Sequence, residues 1–251
     1  MLVPAHTETN DAQVMLMKPA ALFFSAILLS IPTCTRSQTP RNDAVVSVQD
    51  LALSGKAGKA FMKGTELLTK GDTAASIEHF LKAIELAPAS YRPYHNLALA
   101  YLRLGQLDAA ADDFQKSIDI TKGAFAPSLF GLSMILYKRA EFLNAKLVIE
   151  RGLDADPTSA IGKYCLSLVQ FSLDDFPEAE RSALEAIARG GQLDAYILLA
   201  RIHERANNPA AVFSDVQSYL KLAPNGTLRP EALALLHQAQ LQRNLQSASL
   251  H

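Results

Sequence analysis

An all-α solenoid of five helical hairpins, closed by a C-terminal capping helix, is the fold class that the sequence predicts. The first observation is a repeat, in which Gly71 and Phe80 recur as Gly105 and Phe114, each 34 residues further along the chain. The second is an interruption of helically spaced apolar residues beside Gly71, because glycine can adopt the positive φ that ends a helix. Each hairpin alone leaves an apolar side uncovered, so the hairpins must stack.

The repeat continues at a step of 34 or 35 residues, from Leu107 to Phe142 and on to Phe176. Small residues, which let paired helices approach closely, fall at Gly64, Ala98, Ser133, Ser167 and Ala200 and face Ala83, Ser117, Gly152 and Ala186. The segment from Gly71 to Pro88 resembles the second helix of a tetratricopeptide repeat (TPR) almost residue for residue. This resemblance implies a right-handed superhelical solenoid of helix-turn-helix repeats.

The predicted organisation places five repeats in the middle of the chain. The repeats are assigned to residues 57–90, 91–125, 126–159, 160–192 and 193–226. A signal peptide and leader are assigned to 1–37, a linker to 38–56, a capping helix to 227–245 and a tail to 246–251. Asp174 stands where the turn glycine is usual, which weakens the fourth repeat without breaking the period.

The amino-terminal segment has the pattern of an export signal. Residues 20–31 form an uncharged apolar run that follows Lys18 and precedes a polar stretch. The run is shorter than the roughly 20 residues that a membrane-spanning helix needs, which favours a cleaved signal peptide over a retained anchor. Cys34 lies where bacterial lipoproteins carry their lipidated cysteine, although Pro32 and Thr33 fit that motif poorly, and cleavage after Ser37 would discard Cys34. The protein is therefore expected to be periplasmic or secreted, or else an outer-membrane lipoprotein.

The TPR resemblance implies that the first helix of each hairpin lines a concave groove. The groove residues expected on this basis are Phe61, Arg92, His95, Arg103, Phe130, Met134, Tyr137, Tyr164, Phe171, Arg201 and Arg205. Such a surface suits an extended peptide or an amphipathic helix with acidic flanks. The alternative is that the apolar side chains pack against neighbouring repeats and that the arginines are merely solvated.

Composition argues against several other functions. The formal net charge is −1, with no cationic run, so nucleic acid is not an expected partner. The two cysteines fit no metal or haem spacing, and no cofactor or metal is expected. No catalytic motif was found, and the repeats leave no room for a second domain, so no enzyme activity is expected.

The function predicted from the sequence is a protein–protein interaction scaffold of the bacterial cell envelope, whose partner is a protein or peptide of unknown identity. A lipid-anchored outer-membrane or pilus assembly factor is the alternative, and self-association is the third. Membrane contact is expected only through the leader or a lipid on Cys34. The resemblance also includes TPR domains that bind the acidic carboxyl termini of chaperones through a clamp of Lys and Asn. Here Phe61 and Thr65 occupy the first-repeat positions of that clamp, and only Asn96 matches it. Together with the export signal, this mismatch argues against a cytosolic cochaperone.

Overall fold

A computed structural model describes residues 53–190 and 192–248, apart from the side chains at 246 and 248. The predicted signal peptide and the candidate lipidation site Cys34 lie outside the described residues. The described part of the chain contains eleven helices and no strand. None of these helices is long and apolar enough to cross a membrane. The helices are α1 Gly55–Lys70, α2 Thr73–Leu86, α3 Tyr91–Arg103, α4 Leu107–Thr121, α5 Ala126–Lys138, α6 Phe142–Ala155, α7 Ala160–Ser172, α8 Phe176–Ala188, α9 Ala195–Arg205, α10 Pro209–Leu222 and α11 Arg229–Ala248.

The first ten helices pair as five hairpins, and every hairpin turns in the same way. The turn residue adopts a positive φ in each case, at Gly71, Gly105, Ala140, Asp174 and Asn207. The next residue then donates its N–H to a carbonyl five residues earlier, always at 2.9 Å, which satisfies a carbonyl at the helix end. The predicted role of Gly71 is confirmed, with φ 88°. The repeat also tolerates alanine, aspartate and asparagine at this position, despite the cost of a positive φ.

The small residues predicted to bring the helices together are all buried. Phe80 and Phe114 are fully buried, and each ring lies where a Cβ on a glycine would have to be. A Cβ added to Gly64 would lie 2.7 Å from the Phe80 ring, and one added to Gly131 would lie 2.3 Å from the Phe114 ring. Glycine on one helix therefore makes the space that an aromatic ring on the next helix fills.

The capping helix α11 packs against α10 through an apolar stripe. Leu228, Ala232, Leu235 and Ala239 are buried there, and the Tyr219 hydroxyl accepts a hydrogen bond from the Leu228 N–H at 3.1 Å. The helix ends at residue 248 rather than at the predicted 245, and α1 begins at residue 55 rather than 57.

The first helices of neighbouring hairpins also contact one another, as α1 does with α3, α5 with α7, and α7 with α9. We call the surface formed by the first helices, α1, α3, α5, α7 and α9, the inner face. The second helices form the outer face.

Candidate functional site

The inner face is tied together by polar contacts that step from one repeat to the next. Asn96 donates to the Thr65 hydroxyl at 3.1 Å, and the Arg103 guanidinium donates to the backbone carbonyl of Leu68. Further along, the Ser172 hydroxyl lies 3.1 Å from the Tyr137 hydroxyl. The Arg205 guanidinium lies 5.8 Å from the centre of the Phe171 ring, within cation–π range. These contacts fix how neighbouring first helices sit against each other.

Three aromatic residues predicted to line the groove belong to the packed interior instead. Phe130 is only 3% exposed, and its ring lies against Gly152 and Gly162, where an added Cβ would come within 2.5 Å of it. Tyr137 and Tyr164 are each 6% exposed, and burial raises the pKa of both phenols. The expectation that Phe130, Tyr137 and Tyr164 present their rings to a partner is therefore wrong, because all three rings are buried between helices. For Phe130, Gly152 and Gly162 leave the space that the ring occupies.

His95 also packs between repeats rather than facing outward. Its Nδ1 atom lies 3.0 Å from the Ser128 hydroxyl, and its ring meets Phe125 edge-on at 5.1 Å between centroids. Burial lowers the pKa of His95 to about 4, so the imidazole is neutral at pH 7. A neutral histidine held in this way contributes packing between α3 and α5, not a charge on the inner face.

The carboxyl-terminal end of the inner face is closed by the capping helix. Glu231 of α11 forms an ion pair with Arg201, one of the predicted groove residues. Asp194 and Tyr164 lie beside this pair around a cavity of about 10 Å³, which is roughly the space that one water molecule needs. Arg201 is therefore paired with an acidic residue of its own chain.

The open part of the inner face lies between α1 and α7. Phe61, Met134 and Phe171 are partly buried, as is Leu99, so each keeps some side-chain surface in contact with solvent. Arg103 is exposed and Arg92 is partly exposed, with its guanidinium 5.9 Å from the centre of the Tyr91 ring. At the far end Arg205 is exposed as well.

Lys138 belongs to this surface, as its groove-lining position in the third repeat predicts. It is the last residue of α5, is partly buried, and has no hydrogen bond or ion pair within the described residues. Burial lowers the pKa of its ammonium group. The sequence indicates this placement because Lys138 lies one repeat after Arg103, at the equivalent end of its helix. Glu231 was missed because it lies in the cap, outside the repeat period.

Two further groups of titratable side chains lie away from the inner face. His203 bridges two carboxylates, with its Nδ1 atom 2.6 Å from Asp215 and its Nε2 atom 3.3 Å from Glu180. Cys165 is buried, and burial raises the pKa of its thiol to about 12. No set of three or more residues that could hold a metal ion occurs within the described ranges. His203 therefore links α9 to α8 and α10.

Comparison with known proteins agrees with this architecture. The tetratricopeptide repeat family model matches residues 61–127. The chain is 30% identical over 149 residues to the small glutamine-rich tetratricopeptide repeat-containing protein 2 of Mycosarcoma maydis. The aligned segment covers 59% of this chain and 41% of that protein. It is 29% identical over 134 residues to a tetratricopeptide repeat and J domain-containing co-chaperone of Cryptococcus neoformans, covering 53% of this chain and 24% of the relative. The chain thus spans less than half the length of either relative.

Among solved structures, a thermophilic TPR protein of Thermus thermophilus superimposes with a TM-score of 0.64. The superposition covers 72% of this chain and 98% of that one, at 19% sequence identity, which shows a shared fold. Five helical hairpins, a common turn geometry and the matched repeat segment lead to one assignment. The chain belongs to the tetratricopeptide-repeat family.

Proposed function

We propose that the protein is an interaction scaffold of the bacterial cell envelope that holds a segment of a partner protein along its inner face. Tetratricopeptide-repeat proteins generally mediate protein–protein interactions. The observation that supports this site is the open stretch between α1 and α7, where Phe61, Leu99, Met134 and Phe171 are only partly covered by neighbouring repeats.

The stretch combines incompletely buried apolar surface with cationic groups at its margin, Arg92 and Arg103. Covering apolar surface stabilises a complex by about 25 cal/mol for each Å² removed from water, before the entropy cost of association is subtracted. An extended peptide or an amphipathic helix could cover the row of apolar side chains, because they recur at each repeat. The carboxyl-terminal end, which Glu231 and the cap close, would not take part.

A capture experiment tests whether the inner face binds the partner, by comparing variants that each replace two apolar residues with serine. A tagged protein is compared with a Leu99→Ser, Met134→Ser variant and with an outer-face control, Leu143→Ser, Leu147→Ser, whose parent side chains are 69% and 60% exposed. Circular dichroism must show all three to be folded. We expect partners captured from the native host to be lost from the inner-face variant alone. Loss from the control alone would place binding on the outer face.

The envelope part of the proposal depends on the apolar run at 20–31. A fusion of residues 1–56 to alkaline phosphatase, which is active only outside the cytoplasm, is expected to be active, whereas one carrying two arginines within the run is expected to be inactive. Equal activity of the two fusions would remove the export proposal and leave the interaction role standing.

A lipid-anchored assembly factor is the second candidate, supported by Cys34 just after the apolar run. The intact mass of the mature protein separates the two candidates. An acylated amino-terminal cysteine would support the anchored form, and a mature chain that begins beyond Cys34 would eliminate it.

A further inference from the structure

The imidazole of His203 joins the fourth hairpin to the fifth. Its Nδ1 atom lies 2.6 Å from the Asp215 carboxylate of α10, in the same hairpin. Its Nε2 atom lies 3.3 Å from the Glu180 carboxylate of α8, in the preceding hairpin. The His203 and Asp215 side chains are largely buried, whereas that of Glu180 is 43% exposed. Both ring nitrogens therefore face a carboxylate oxygen.

Only the protonated imidazole satisfies both contacts. A neutral ring has one N–H, so its other nitrogen would turn a lone pair towards an oxygen that also offers only lone pairs. The imidazolium has two N–H groups and can donate to Asp215 and Glu180 together. When the ring loses a proton, the contact with Asp215 should persist, because it is shorter and more buried, while Glu180 can turn into water. Loss of the proton thus breaks the link between the hairpins rather than the one within the fifth hairpin.

Within the described ranges the imidazole faces two charged groups, Glu180 and Asp215. Burial raises the pKa of the Asp215 carboxyl, and the hydrogen bond from His203 offsets part of that rise. Glu204, the next residue of α9, points to a different side of the helix. Helices α7 and α11 also contact α9, and their charged side chains interact with other groups. These interactions join Lys163 to Glu185, Glu231 to Arg201, Arg229 to the Pro224 carbonyl, and Arg243 to the Phe213 ring.

The junction that His203 bridges contains little buried bulk from α8. The second helices of the first three hairpins each bury a large side chain, namely Phe80, Phe114 and Ile149. The buried residues of α8 are all small and comprise Ala179, Ser182, Ala183 and Ala186. A buried methyl group makes far fewer contacts than a ring or a long aliphatic chain. The polar bridge therefore contributes a larger share of the stability here than at the earlier junctions.

We propose that His203 is a proton-dependent clamp, which holds the fifth hairpin to the fourth when the imidazole is protonated and releases Glu180 when it is neutral. Each hairpin of a repeat array contacts only its neighbours, so the stack loosens at the junction that is weakened. Stability gained by binding a proton at a histidine is present below about pH 6.5, the ordinary pKa of that side chain, and is lost as the pH rises. The fifth hairpin and the capping helix beyond it are thus held more firmly at pH 5.5 than at pH 7.5.

Glu180→Gln tests the clamp, because its effect should depend on pH. Glutamine can donate an N–H to the neutral ring, which glutamate cannot do, but it forms no ion pair with the imidazolium. The matched control is Glu150→Gln, which removes the same charge from an exposed position on α6. Amide hydrogen exchange of the full chain is followed by mass spectrometry at pH 5.5 and at pH 7.5. Each variant is compared with the parent at the same pH, so that the intrinsic exchange rates cancel.

At pH 5.5 we expect peptides from α9 and α10 to exchange about two- to fivefold faster in Glu180→Gln than in the parent, as loss of a partly exposed ion pair would give. At pH 7.5 they should exchange at the parent rate or more slowly. Peptides from α2 should not change at either pH, and Glu150→Gln should behave like the parent throughout. In a His203→Gln background, Glu180→Gln should have the same effect at both pH values.

Three results would overturn the clamp. The first is an effect of Glu180→Gln that is the same at pH 5.5 and pH 7.5 while His203 is present. The second is an effect no different from that of Glu150→Gln, and the third is a change in exchange that extends equally to α2. If His203→Gln does not fold, the comparison of Glu180→Gln with the parent still decides, because that substitution is at a partly exposed side chain.

Discussion

Phe130 allows the packing of the solenoid to be tested by a double-mutant cycle. Its ring is 3% exposed, and truncation of a buried phenylalanine to alanine costs about 3–5 kcal/mol. Gly152→Ala would place a Cβ 2.5 Å from the ring, and such overpacking costs about 1–3 kcal/mol. Alanine within a helix is also more stabilising than glycine by about 1 kcal/mol, so Gly152→Ala alone should lower the free energy of unfolding by about 0–2 kcal/mol.

The two substitutions should not add. In Phe130→Ala the ring is absent, so Gly152→Ala should keep its helical gain and become neutral or stabilising. The expected coupling free energy is about 1–3 kcal/mol, with the double variant more stable than the sum of the single changes implies. Urea unfolding followed by circular dichroism measures this, provided that the slopes of all four proteins agree, because repeat arrays can unfold in parts. Additive losses, or a Phe130→Ala variant within about 1 kcal/mol of the parent, would refute the packing described for this ring.

Three further predictions concern single residues. Ala140→Gly should stabilise the protein by about 0.5–1 kcal/mol, measured as a higher melting temperature, because Ala140 holds φ 60° where Gly105 holds 74°. In the folded protein the pKa of His95 is about 4, against an ordinary value of 6.5, so on acidification the unfolded chain takes up this proton before the folded one. The free energy of unfolding should therefore fall by up to about 3 kcal/mol as the pH drops from 6.5 to 4, and by less in His95→Gln, when measured by urea unfolding at each pH. Cys165 should resist iodoacetamide at pH 8 until the chain unfolds, since burial raises its thiol pKa to about 12; rapid alkylation of the folded protein would contradict its placement.

The hairpins and their turns could be predicted because the 34-residue step repeats both glycine and aromatic positions. Gly71 and Gly105 mark turns by their chemistry, whereas Ala140 marks one only through its place in the period. The small facing residues were predictable for a similar reason, because only small side chains allow close helix approach at those positions.

The depth of the inner-face side chains could not be read from repeat position. Phe130 and Met134 both occupy positions that line the groove by family resemblance, yet Phe130 is buried and Met134 is partly exposed. The difference is that two glycines lie beside Phe130, Gly152 of α6 in the same hairpin and Gly162 of α7 in the next repeat. Such tertiary neighbours decide burial, and helical numbering does not include them.

Arg201 illustrates a second limit. Its partner Glu231 lies 30 residues later in a helix that is not part of a full repeat, so the period gave no reason to join them.

Site-specific photo-crosslinking shows directly whether the inner face binds a partner protein. A p-benzoylphenylalanine is placed at Met134 on the inner face and, in a separate protein, at Leu143 on the outer face, where the parent side chain is 69% exposed. Both proteins are produced in the native host, irradiated, and purified under denaturing conditions. We expect a discrete crosslinked protein from position 134 and none from position 143. A crosslink from position 143 alone would contradict it.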